Sequence, residues 1–200
     1  GKGILTVRAV ENKNDPTSDI VATEPISAVK ENKAVAVAPT DTTYTLNDTD
    51  VQLPADHGAS LLFDNIITSD ANGKERMDKL EETANAWLNE KFGTTSNTRN
   101  LEFKYLDLVD ANNGNAWIKA SNPVTIYWGY PATTDQNTTF KLLHFKDLHR
   151  DTSGGDNTGF DPGDIANSEI EEVKVTNNSN GISFTVKSGG FSPFVLVWET

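Results

Sequence analysis

Short runs of apolar and β-branched residues separated by polar turns recur along the chain, and they predict strands over most of its length. GILTVRAV (residues 3–10) is one such run, ended by the Asn-rich, Pro-containing ENKNDPTSD. AVAVA (34–38) is a second and TTYTL (42–46) a third, and the polar NDTD after it is the best candidate for an internal boundary. SLLFDNIIT (60–68) is apolar enough for a buried strand and runs into SDANG, whose Ser, Asp and Asn suit a helix N-cap. From there Met77, Leu80, Ala84, Trp87, Leu88 and Phe92 recur at spacings of three and four. That period puts them on one face of a helix over about residues 72–92, and Gly93 stands where a C-cap of positive φ is favoured. Such a stripe is what a helix lays on its own sheet.

From Leu101 onward LEFKYLDLVD, AWIKA, VTIYW, TFKLLHF, EEVKVT, GISFTV and FVLVWE follow one another at intervals of about ten residues, the spacing of a sandwich or barrel. Asn180-Gly181, closing NNSNG, accepts the positive φ of a tight hairpin between EEVKVT and GISFTV. ANNGN (111–115) joins two earlier strands by the same logic. Pro131 and Pro193 sit at strand margins, where a missing amide donor is tolerated. DTSGGDNTGFDPGD (151–164) reads as a long surface loop.

Composition narrows the picture. A length of 200 residues fits one large β domain or two small ones, and 36% hydrophobic residues with four Trp, four Tyr and nine Phe suffice to fill a core. A net charge of -12 repels phosphate backbones and anionic headgroups, which argues against nucleic acid as a partner. With no cysteine, disulfides, thiolate zinc sites and cysteine nucleophiles are excluded. No apolar run reaches the roughly 18–20 residues of a membrane helix. The expectation is a soluble module, a monomer within a longer polypeptide, with any anchoring segment elsewhere.

FKYLDLVDANNGNAW (103–117), VTIYWGYP (124–131), FKLLHFKDLHR (140–150) and GGFSPFVLVWE (189–199), in that order, resemble an uncharacterised module of large, multi-domain, adhesin-like surface proteins of Gram-positive gut bacteria of the Firmicutes. The likeness covers roughly half the chain, from about Leu101 on, with SLLFDNIIT and the helix as a weaker extension; residues 1–50 match nothing. It implies an extracellular, cell-wall-attached location and an adhesion or scaffold role, and it brings no functional residues with it.

Several residue groups carry possible chemistry. His144 and His149, with Asp147, resemble a metal cluster, but an offset of five puts the two rings on opposite faces of a strand, and His57 is isolated. Asp151, Asp156, Asp161 and Asp164 offer hard oxygen ligands to calcium in a Gly-rich loop, without EF-hand spacing. Trp117, Tyr127, Trp128, Tyr130 and Phe160 are candidates to stack sugar rings, Trp117, Trp128 and Tyr130 foremost; alternation sends Tyr127 and Trp128 to opposite faces, so one of the two belongs to the core. No GxSxG, HExxH, P-loop or dinucleotide fingerprint occurs, and the adjacent pairs Glu81-Glu82 and Glu171-Glu172 project apart. A Lys–Asn isopeptide crosslink, which some Gram-positive surface modules use in place of disulfides, needs a buried Lys, an Asn and a nearby acid. Lys104, Lys119, Lys141 and Lys174 lie in predicted strands, and FVLVWET holds no Asn to match them.

The expected fold is α+β and mainly β: an N-terminal β part with one amphipathic helix over residues 1–95, and an antiparallel immunoglobulin-like sandwich over 96–200. The expected function is that of a non-enzymatic extracellular structural or adhesion module, needing no cofactor, with a host or microbial glycan or protein as partner. The alternatives are a carbohydrate-binding module and a hydrolase with a carboxylate pair distant in sequence.

Overall fold

The computed structural model describes residues 4–10 (backbone only), 27–152, 159–187, 191 and 193–200. The fold is α+β, mainly β; among the described residues its strands pair mostly antiparallel, while β1 meets β4 in parallel. Two compact units emerge, and each takes separate lengths of chain: residues 1–64, 106–138 and 175–191 in the first, 65–105, 139–174 and 192–200 in the second. Residues 95 and 96, where the sequence suggests a boundary, both fall within the second unit.

In the first unit β1 (Ile4–Val10) pairs antiparallel with β2 (Ala34–Pro39) through Ile4 to Arg8, then passes to β4 (Ala59–Asn65), which it meets in parallel through Ala9 and Val10. β2 continues to β7 (Val124–Trp128), β11 (Gly181–Val186) and β10 (Thr176–Asn178). A second set links β5 (Arg99–Asp110), through its C-terminal end, to β6 (Ala116–Ala120) and β3 (Tyr44–Leu46). Alternation in β2 and β7 sends Ala34, Ala36, Ala38, Val124, Ile126 and Trp128 inward. Trp128 meets Phe63 of β4 edge to face at 4.9 Å and lies 6.4 Å from Phe184 of β11.

Both Asn-containing turns form. β10 and β11 close a hairpin in which Asn178 faces Gly181, whose φ is 151°. The β5–β6 turn carries positive φ at Gly114 and Asn115, which Gly and Asn tolerate best. EEVKVT, expected as one strand, is divided: Ile170–Val173 forms β9 in the second unit, and β10 begins at Thr176 in the first.

The second unit orders β9, β8 (Lys141–Phe145), β12 (Pro193–Glu199) and the Arg99–Tyr105 length of β5 side by side, all antiparallel. α1 (Ala71–Phe92) starts at Asp70, whose carboxylate accepts the Gly73 N–H at 2.8 Å, and stops at Gly93, φ 79°, whose N–H bonds the Asn89 carbonyl. Leu80, Ala84 and Leu88 enter a core with Phe103, Tyr105, Leu143, Phe145, Val195 and Val197, and Met77 and Trp87 pack at its margin. Each fully buried Leu contributes about 1.5–3 kcal/mol. Phe92, expected on the buried stripe, is 52% exposed because it ends the helix; its ring lies against Trp87, with the Lys141 ammonium 4.5 Å above it. Among the described residues no helix is long and apolar enough to cross a membrane.

Candidate functional site

Antiparallel register in the second unit lines up three polar residues and one phenylalanine in a row on the sheet face away from α1. Lys104 on β5 stands opposite Phe194 on β12, Phe194 opposite His144 on β8, and His144 opposite Glu171 on β9. Alternation places these four on the face opposite Phe103, Tyr105, Val195, Leu143 and Phe145, which the helix covers. His144 stacks on Phe194 with centroids 4.4 Å apart and planes 18° from parallel, and its Nδ1 lies 2.8 Å from Glu171 Oε1. Burial pushes the His144 pKa below its ordinary value, against the hydrogen bond and charge of Glu171.

The row ends at Lys104, which is 2% exposed and whose Nζ donates to Asn65 Oδ1 at 2.5 Å. Asn65 closes β4 and is exposed. The other three strand lysines are placed differently. Lys119 is half-buried on β6, Lys141 sits over the Phe92 ring, and Lys174 is exposed between β9 and β10. A search for an Asn in the last strand misses this contact, because the partner lies on β4, 39 residues before Lys104. The signal in the sequence is an Asn directly after the apolar run SLLFD.

His57, isolated in the sequence, has a spatial partner in the first unit. Its Nδ1 lies 2.7 Å from Oδ2 of Asp110, a carboxylate that is 1% exposed and also accepts the Asn112 N–H at 3.0 Å. The pair ties the segment before β4 to the β5–β6 turn. His149 lies five residues beyond His144, outside β8, and exposed Asp147 occupies a turn with φ 62°.

The aromatic candidates separate by burial. Trp128 is 0% exposed and offers no ring face to a sugar, which removes it from any stacking platform. Its neighbour Tyr127 points the other way and is half-buried, as alternation requires. Trp117 is half-buried beside Leu62 and Val109. Tyr130 is also half-buried; its hydroxyl donates to the Asn178 carbonyl at 2.7 Å, and burial, followed by the Asp135 charge, raises its pKa. Phe160, 6% exposed, packs edge-on to Tyr105 in the core of the second unit, so the stretch read as a surface loop is anchored at this residue. Arg76 fixes it further by donating from Nε to the Phe160 carbonyl at 2.8 Å.

The acidic candidates are also dispersed. Asp161 caps the short helix α2 (Pro162–Ile165), and Asp164 Oδ2 accepts the Asp161 N–H at 2.8 Å, the return half of a capping box. Asp151 is exposed, and Asp156 lies outside the described residues. Among the described residues no group of three or more His, Asp or Glu side chains is arranged to hold a metal ion. No protein-family model, curated protein or solved structure matches the chain.

Proposed function

We propose that this chain is a non-enzymatic extracellular module, structural or adhesive, of a bacterial cell-surface protein attached to the cell wall through other segments of a longer polypeptide. One observation carries the reading: among the described residues the last strand is paired along both edges over the same stretch, and the first gives one edge to β2 and then the other to β4. β1 lies between β2 and β4, and β12 between β5 and β8. A module strung between neighbours is pulled through these two strands, and a strand bonded along both edges must break two ladders together before it leaves. Each ladder bond contributes about 0.5–1.5 kcal/mol, so loading in shear sums many of them.

The four sequence blocks that resemble adhesin-like surface modules support the location. The immunoglobulin-like sandwich expected over residues 96–200, in the broad sense that covers varied topologies, finds its support in the first unit, where buried Trp128 of β7 meets Phe63 of β4 edge to face. Single-molecule pulling through the two chain ends tests the proposal. The reading expects each unit to rupture in one sharp high-force event. Low-force, stepwise peeling of β12 from its neighbours would sink it.

A further inference from the structure

A primary amine and a carboxamide in contact, with an acid at hand, are the reactants of an amide-forming condensation. Lys104 and Asn65 meet this description through the Nζ–Oδ1 contact at 2.5 Å, which is shorter than the usual 2.7–3.2 Å range of N–H···O bonds. Lys104 sits opposite Phe194, and both side chains are withdrawn from water, at 2% and 1% exposure. Asn65 is exposed, which gives a leaving ammonia a direct path to water. Glu102 stands two residues from Lys104 on the same face of β5, roughly 6.6 Å along the strand. With no cysteine in the chain, a link of this kind is a covalent staple open to it.

We propose that Lys104 and Asn65 condense into an isopeptide crosslink, with Glu102 as the group that carries the proton. The uncharged Lys104 Nζ attacks Asn65 Cγ, forming the new C–N bond and a tetrahedral centre. Glu102 takes a proton from Nζ and delivers it to Nδ2. The Cγ–Nδ2 bond then breaks, ammonia leaves, and Glu102 returns to its starting state. Nothing is oxidised or reduced, and no further reactant enters. The product bridges the end of β4 to β5 and closes a 39-residue separation. The inference does not depend on the stalk reading, since the link forms or fails on local chemistry alone.

Intact-mass spectrometry of the folded, purified chain tests it, followed by fragmentation of a proteolytic digest. The wild type should weigh less than its sequence by one ammonia, and the digest should contain a branched peptide joining the residue 65 and residue 104 segments. Lys104→Arg and Asn65→Ala should both show the full sequence mass, and Glu102→Gln should retain most of its ammonia. A wild type of full mass would overturn the crosslink. So would an ammonia loss that persists in Lys104→Arg, because that locates the loss at another amide. Should a variant fail to fold, the branched peptide of the wild type decides alone. Complete crosslinking in Glu102→Gln would overturn the role given to Glu102.

Discussion

Trp128 presents its ring to Phe63 at 4.9 Å with the planes 87° apart, the edge-to-face arrangement that adds to area burial. The pair joins β7 to β4 within the first unit. Truncating Trp128 to Ala removes the largest fully buried side chain and should cost about 3–5 kcal/mol. Urea titration followed by far-UV circular dichroism measures it. A loss under about 1 kcal/mol would mean that the ring is a surface group after all.

Tyr44 supplies a prediction of opposite sign. Its hydroxyl is buried with no hydrogen-bond partner among the described residues, and burial pushes its pKa up to about 12. Tyr44→Phe deletes a desolvated group while keeping the ring, so stability should hold or rise by about 1 kcal/mol. The wild type should also lose stability as pH climbs from 10 towards 12, since the unfolded phenol ionises first and the folded one resists. Tyr44→Phe should lack that part of the alkaline loss. Denaturation midpoints for the two proteins across this range check both points.

Features decided locally are legible in the sequence. Asp70 and Gly93 bound α1 through their own side chain and backbone, and Gly114 and Gly181 mark turns through a positive φ. What escapes is the choice of partner. EEVKVT has strand character throughout, but nothing in six residues says that Val173 pairs with Leu142 while Thr176 pairs with Ser183. Alternation shows that one of Tyr127 and Trp128 is buried without saying which. Phe160 is hidden in a Gly- and Asp-rich stretch because its burial depends on Tyr105 and Arg76, both remote in sequence. Lys104 and Asn65 are missed for the same reason.

His144 predicts an acid dependence. Its folded pKa is lowered, chiefly by burial, so below about pH 6.5 the unfolded chain binds the proton more readily than the folded one. The contribution is complete above that pH and is lost as pH falls through the folded value. Stability should therefore fall between pH 7 and 5, and less so in His144→Phe. Glu171→Gln, which removes the partner that raises this pKa, should move the His144 NMR titration to still lower pH.

Gly129 tests close backbone approach. A Cβ there would lie 1.9 Å from the Lys30 carbonyl oxygen, and the Gly129 N–H bonds the Lys33 carbonyl at 2.9 Å. Gly129→Ala must displace the 29–33 turn and should cost about 1–3 kcal/mol. A thermal melt unchanged by the substitution would contradict this packing.

Asp164 separates a capping role from a calcium role. Because Oδ2 accepts the Asp161 N–H, Asp164→Ala should lower stability by about 0.5–2 kcal/mol. The loss should be equal in calcium and in chelator. A loss seen only with calcium would assign the carboxylate to an ion.

The two-sided pairing of β12 is the feature on which the proposed role depends most, and amide hydrogen exchange reads it directly. With β5 on one edge and β8 on the other, the amides of Phe194 to Val197 are expected among the slowest to exchange in the second unit, opening only with global unfolding. Fast exchange along every second residue of β12 would show one open edge and would contradict the proposed role of this strand.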